Sequence, residues 1–309
     1  MVNNMKRLTG ILVGICIISA VFVSYGLTEG LVKFCDDTGI NKGIKAKVYT
    51  VITRSFEYES LIQEFPFAEG VLTTYEDGFV FESEAGLYVS DALFMIEHNN
   101  LDKLRSFDLS FMTLEEACNE IISCFQRISM DVEIEKAYAI DRNEYDRLFE
   151  IHKDWILNVG RDKMNWKMDD ICYVIYLRQT YGNVPVYPGW FWTENIADNS
   201  PGTEIIVFLS SDGIIYTSCG WATSEVDAYA NQYFIDYDKA EALLCTVYND
   251  LLTLKPHSIT VTSAEQILLT FKNEGQFVLK PFWRFIAVMD DGTYKDYLVD
   301  SQNGTVYGI

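Results

Sequence analysis

The chain is short of positive charge. Its 309 residues include 24 Lys and Arg against 45 Asp and Glu, a formal charge of −21. That balance repels phosphate backbones and anionic lipid surfaces, which argues against sequence-general nucleic-acid binding. Histidine is scarcer still, with three residues scattered at His98, His152 and His257, and no Cys-x-x-Cys accompanies them. A zinc site needs such ligands clustered, so the sequence supports none. Gly-x-Ser-x-Gly, His-Glu-x-x-His, a phosphate-binding Gly-rich loop, a dinucleotide fingerprint and calcium-loop spacing are missing as well. No cofactor, metal ligand or catalytic residue is therefore expected, although catalytic groups can assemble from distant segments. Proline is sparse at 6 residues, and with 49% hydrophobic and 14% aromatic residues the chain is neither disordered nor collagen-like. It has enough apolar surface for a sizeable core, and its length allows two domains.

One long stretch, Leu8 to Leu27, contains no charged residue. About 20 residues at roughly 1.5 Å each match a hydrocarbon core of about 30 Å, so this stretch is expected to span a bilayer as one helix. Lys6 and Arg7 precede it and Glu29 is the first charge after it, which predicts the N-terminus inside and the remainder outside. Removing residues 1–30 takes away only those three charges, so the acidity belongs to the exported part. The alternative is secretion after cleavage near Gly26, but the apolar run is longer than that of a usual signal peptide. A lipoprotein is disfavoured, because Ile15 and Phe34 stand before Cys16 and Cys35, where a small residue is needed.

Outside that stretch the cysteines give no disulfide framework. Cys118 and Cys124 fall in one expected helix, about 9 Å apart along its axis and off the same face, so they cannot pair there. Cys172, Cys219 and Cys245 lie in apolar runs, where a thiol acts as a small hydrophobe.

Residues 31–47 read as a tether, 48–200 as a first subdomain and 201–309 as a second. Strand and turn signals run from Lys47 to Ser60 and from Gly70 to Val89, with turns at Glu76-Asp77-Gly78 and Glu84-Ala85-Gly86. Thr113 with Glu116 forms a capping box before a helix whose Leu114, Ala117, Cys118, Ile121, Phe125 and Ile128 share one face. The polar stretch Asp131 to Lys167 is expected to be helical in part. Ile171 to Leu177 reads as a strand turned by Tyr181-Gly182-Asn183, and Glu204 to Ser210 with Ile214 to Cys219 as a hairpin. Asp238 opens a second helix, and Ser263 with Gln266 opens a third that ends at Gly275. Strands then run from Phe277 to Met289 and from Tyr294 to Val299 around Asp290-Asp291-Gly292. Helices followed by strands joined through tight turns give an α+β fold of antiparallel sheets with packed helices.

The C-terminal run carries a resemblance. The helix expected from Ser263-Ala264-Glu265-Gln266, the segment Leu279-Lys280-Pro281-Phe282-Trp283-Arg284-Phe285 and the return Tyr297 to Val306 through Asp300 and Gly304 resemble PepSY-like modules. In particular they are similar to membrane-anchored exported regulators of the YycH/YycI type from Gram-positive bacteria, with a "P-x-W" strand and a return ending "D-x-x-x-G". The resemblance implies two tandem PepSY-like or cystatin-like subdomains, with a vaguer echo around Thr113 and from Ile171 to Tyr187. It also implies a non-catalytic extracytoplasmic protein that modulates a partner.

On the residues themselves, Trp283 reads as a core side chain, Asp300 as a turn residue bonding its own backbone, and Gly304 as a supplier of positive φ. The carboxylate pairs Asp169-Asp170 and Asp290-Asp291 point to opposite faces of an extended chain and make no catalytic dyad. The segment Tyr187-Pro188-Gly189-Trp190-Phe191-Trp192-Thr193-Glu194 is the most unusual. Tyr187, Trp190, Trp192 and Glu194 are the candidate recognition residues, a stacking platform for sugar or peptide. The expectation is thus a membrane-anchored regulator or scaffold that binds a cell-envelope protein or wall component. The alternative is a cell-wall hydrolase or carbohydrate-binding protein using Trp190, Trp192 and Glu194.

Overall fold

The computed structural model describes residues 32–34, 47–94, 104–158, 163–164, 166, 169–188, 202–229, 234–248, 258–273 and 276–308. The apolar stretch 8–27 and most of the tether lie outside them. Among the described residues no helix is long and apolar enough to cross a membrane.

In chain order come β1 (Val32–Phe34), β2 (Val48–Thr53), α1 (Tyr58–Glu64), β3 (Val71–Tyr75), β4 (Gly78–Glu82) and α2 (Glu84–Phe94). Then follow α3 (Leu114–Arg127), β5 (Val132–Asp141), α4 (Arg142–Asn158), β6 (Asp170–Tyr181) and β7 (Val184–Pro185). The remainder is β8 (Glu204–Ser210), β9 (Gly213–Gly220), β10 (Thr223–Tyr229), α5 (Tyr237–Tyr248), β11 (Ile259–Asn273), β12 (Gln276–Met289), β13 (Tyr294–Asp300) and β14 (Val306–Gly308). Apart from β1, which runs parallel to β11, the paired strands are antiparallel, so the α+β class holds.

Contacts divide the chain into two compact units, one of residues 45–231 with 267–281 and the other of 1–44, 232–266 and 282–309. The hairpin 204–220 therefore belongs to the larger unit. Glu204 at the head of β8 pairs with Arg178 of β6, which ties the hairpin 204–220 to the strands before it.

The larger unit is built on a sheet in the order β3-β4-β9-β8-β6-β5. Successive side chains of a strand point to opposite faces, and both faces here are covered. From β6, Tyr173, Ile175 and Leu177 join Phe79, Phe81, Val207 and the α1 and α3 side chains Leu61, Ile121 and Phe125. Between them Cys172, Val174 and Tyr176 meet Leu93 of α2 and Tyr145, Leu148 and Phe149 of α4. Burial on both faces explains why β6 is apolar almost throughout.

The helix ends follow the chemistry of orphan N–H groups. The capping box is present: the Thr113 hydroxyl accepts from the Glu116 N–H at 3.2 Å and Glu116 Oε2 accepts from the Thr113 N–H at 3.0 Å. Thr113→Ala is expected to cost about 1 kcal/mol in urea unfolding, and a neutral result would remove the cap from the account. The turn expected at Glu84-Ala85-Gly86 is instead the first turn of α2. Ser83 Oγ accepts from the Gly86 N–H at 3.0 Å and donates to the Ile215 carbonyl at 2.7 Å. Gly86 is there because a Cβ would fall 2.1 Å from the Ile215 carbonyl oxygen, not because the chain reverses.

In the smaller unit α5 places Tyr237, Ala240, Leu244 and Tyr248 on one buried stripe. They meet Trp283, Phe285 and Ala287 of β12, Val299 of β13 and Ile259 and Val261 of β11. The helix expected from Ser263 to Gly275 is not formed. Ser263 to Asn273 lie in β11, a strand that pairs with β1 through Ile259 to Val261 and neighbours β12. Pairing in the sheet overrides the local capping signal, and Thr260, Val261 and Thr262 favour the extended chain.

Candidate functional site

Of the candidate recognition residues, Tyr187 is described and is buried, at 8% exposure. Its N–H donates to the Leu268 carbonyl at 2.9 Å, beside a parallel bridge between Val186 and Leu268. Trp190, Trp192 and Glu194 lie outside the described residues. Gly202 packs against the Tyr187 backbone. A Cβ on Gly202 would fall 1.3 Å from the Tyr187 carbonyl oxygen, an approach that only glycine permits.

Next to Gly202 a buried polar network begins. Gln179 and Thr223 are buried, and the Gln179 amide bonds the Thr223 backbone as another strand would. Its Oε1 accepts from the Thr223 N–H at 3.2 Å and its Nε2 donates to the Thr223 carbonyl at 2.7 Å. The same Nε2 lies 3.0 Å from the Tyr181 hydroxyl, which is 2.8 Å from Thr223 Oγ1. The Thr203 hydroxyl is within donating distance of Gln179 Oε1 at 3.1 Å and of the Trp221 carbonyl at 2.8 Å. Trp221 sits at φ 57°, a left-handed conformation unfavourable for a bulky side chain, and the bond to its carbonyl helps hold it. The Tyr49 ring tilts against Tyr181 with centroids 5.2 Å apart. These polar groups serve one another, so the cluster is a rigid base rather than a set of reactive groups.

The titratable side chains agree. Burial pushes the Tyr181 hydroxyl up to about 12, against easing hydrogen bonds from Thr223 and Gln179. It pushes Tyr297 up to about 12 in the smaller unit and the Cys219 thiol likewise to about 12. The Cys172 thiol is raised further by complete burial, and Cys118, Cys124 and Cys245 are raised for the same reason. At neutral pH these thiols stay protonated and are poor nucleophiles.

A folded-state value raised above the ordinary tyrosine value near 10 favours the neutral hydroxyl. The resulting stability is fully present below about pH 10 and is lost as the pH rises through about 12. Urea unfolding followed over that range, with tyrosinate absorbance as a second readout, should show the decline. Stability unchanged up to about pH 12 would contradict the burial assigned to Tyr181 and Tyr297.

The residues that carry the resemblance do structural work. Trp283 Nε1 donates to the Ile235 carbonyl at 2.9 Å, and the Ile235 N–H donates to the Ser301 carbonyl at 2.7 Å. Asp300 Oδ1 accepts from the Gln302 and Asn303 N–H groups at 2.7 and 3.3 Å, and Gly304 adopts φ 78°. Strand and turn thus clamp Ile235 just before Asp236, whose Oδ1 caps α5 through the Lys239 N–H at 2.9 Å. The core reading of Trp283 and the turn readings of Asp300 and Gly304 hold, and the clamp on Ile235 was not visible in the sequence.

Among the described residues of the larger unit, two grooves can be named. One, of about 280 Å³, is lined by Arg142, Asp146, Lys163, Met164 and Trp166. There Lys163 pairs with Asp146 at 2.8 Å and Arg142 Nη2 donates to the Trp166 carbonyl at 2.5 Å. The other, of about 270 Å³, holds Arg54 and Arg127. Arg54 donates to the Ile128 and Ser129 carbonyls after α3, and Arg127 pairs with Glu64 at 2.8 Å. Both sets of cations are spent on the fold. Among the described residues no three His, Cys, Asp or Glu side chains gather as a metal-holding group.

No protein-family description matches the chain. No curated protein matches it either. Among solved structures it is similar to the crystal structure of an uncharacterized protein from Eubacterium rectale ATCC 33656. The two share 14% identity at a TM-score of 0.56, over 86% of each chain. At that identity the likeness concerns the fold alone.

Proposed function

We propose that this chain is a membrane-anchored, extracytoplasmic, non-catalytic protein that regulates or scaffolds a cell-envelope partner by protein–protein binding. One observation carries the reading, a repeated order of elements. α3 is followed by β5, β6, β8 and β9, with α4 inserted between β5 and β6 and the two-residue β7 between β6 and β8, and α5 by β11, β12, β13 and β14, each set of four strands forming successive neighbours in a sheet. Two helix-plus-meander modules in tandem fit the PepSY-like resemblance, with α5 in place of the helix expected from Ser263. The uncharged run 8–27 behind Lys6 and Arg7 supplies the anchor, and the neutral, mutually bonded groups around Gln179 suit a scaffold better than turnover.

The test is fractionation of cells expressing the full chain, with protease added to spheroplasts and crosslinking before membrane solubilisation. The reading expects the chain in carbonate-washed membranes, its C-terminal part cut from outside, and a crosslinked envelope protein. Intact chain in the cytosol would overturn it. Turnover of purified wall that Glu194→Gln abolishes would replace it with the hydrolase.

A further inference from the structure

We propose that β3 is a docking edge for an extended basic peptide segment of a partner protein, which adds to the sheet as a further strand. The proposal rests on the binding reading above and names where the partner would sit. Tyr75 and Gly78 close a two-residue turn, so they must exchange backbone bonds with each other. By alternation Thr73 and Val71 do the same with Val80 and Glu82. The N–H and C=O groups of Leu72 and Thr74 therefore point away from β4. Among the described residues β3 pairs with β4 alone, and no partner meets those groups.

Exposed sheet edges recruit further strands unless the fold blunts them. Several other described edges are blunted. β5 has bulges at Ile134/Lys136 and Ile140/Asp141 and carries Glu133, Glu135 and Lys136, while β10 has a bulge at Glu225/Asp227 with both carboxylates. β1 and β14 have three residues each. β3, with the sequence Val-Leu-Thr-Thr-Tyr, is regular and uncharged over five residues. Val71 is 67% exposed and Tyr75 is 52% exposed, on the face that also carries Thr73. Alternate side chains of an added strand would pack there while its backbone bonds to Leu72 and Thr74.

Charge selects the occupant. Glu69, Glu76 and Asp77 flank the strand, and Glu82 lies across from Val71, all in a chain of net charge −21. A segment with Lys or Arg at its ends and uncharged β-branched residues between them complements that pattern. A second copy does not. Antiparallel self-pairing through Leu72 and Thr74 sets Glu69 of one copy opposite Asp77 of the other, and like charges directly opposite are destabilising.

The probe is a fluorescein-labelled peptide of alternating valine and threonine with two lysines at each end, titrated into the full-length chain in uncharged detergent micelles. Saturable anisotropy is expected, weakening as salt rises. Thr74→Pro should weaken binding at least tenfold, because it removes an outward donor while leaving the bonds to β4 in place. Native-like circular dichroism checks its fold. If it does not fold, Val71→Lys with Tyr75→Lys, at exposed positions, should give the same loss. Equal binding of a glutamate-ended peptide, or equal binding by whichever of these variants is folded, overturns the proposal. So does a dimer in sedimentation that Thr74→Pro dissolves, which would assign the edge to a second copy. Failure of the unsubstituted chain to bind the peptide, with membrane location and envelope crosslinks intact, sinks this proposal alone, whereas a cytosolic chain sinks the functional reading.

Discussion

Replacing Trp283 by alanine is expected to destabilise the smaller unit by about 3–5 kcal/mol, the range for deleting a large buried aromatic. The side chain is 1% exposed and meets the Tyr237 ring edge-on with centroids 5.5 Å apart. Truncation opens a cavity beneath α5 and leaves the Ile235 carbonyl without its donor. Ile235 would then be held only through its N–H to Ser301, so the start of α5 should loosen along with the core. Urea unfolding gives the total, and hydrogen exchange of the α5 amides locates it. Trp283→Phe helps separate the contributions, since it keeps most of the ring volume and loses the N–H with one fused ring, for at least about 1–2 kcal/mol. A loss below about 1 kcal/mol for the alanine variant would show that the indole is not a core side chain.

Gln179→Leu is the second large effect, about 3 kcal/mol, and its cause is different. Leucine fills much of the same space, so little cavity forms. What is lost is the amide that serves both backbone groups of Thr223, and buried polar groups left unpaired cost about 1–3 kcal/mol each. Gln179→Glu gives the sharper test. An ionised carboxylate cannot donate to the Thr223 carbonyl and is buried beside that acceptor, so its folded-state pKa must rise. Its stability is then present at low pH and is lost as the pH climbs through that raised value. Unfolding midpoints of Gln179→Glu and the native chain should converge on acidification and separate near neutrality. A parallel pH dependence in the two proteins would mean that the amide does not anchor β10 to β6.

Much of the fold was legible where chemistry is local. Asp212-Gly213, Asp291-Gly292 and Asn303-Gly304 stand at turns because their backbones accept the required angles, with φ 108°, 81° and 78° at the three glycines. Thr113 with Glu116 marks a helix start by bonds made within one turn. The failures occur where distant strands decide. Ser263 and Gln266 spell a capping box, yet Ile259 to Val261 pair with Val32 to Phe34, residues far away in the chain. Gly86 resembles a turn residue, while its reason for being glycine is the Ile215 carbonyl of another strand. β5 was hidden because Glu133, Glu135 and Lys136 lie on an edge where charge is tolerated. The candidate site was legible only at its base. Tyr187 packs inward, as alternation along an extended segment would place it, and the Gln179 network joins residues that no local pattern connects.

The division of the chain has a consequence for biosynthesis. The unit that opens at residue 45 takes its last stretch from residues 267–281. Its completion must wait until residues 267–281 have been made and, on the reading proposed above, threaded through the translocation channel. Until then the early strands must be sheltered from aggregation, so an envelope chaperone or holding factor is expected to matter more for yield than the intrinsic folding rate of any single hairpin.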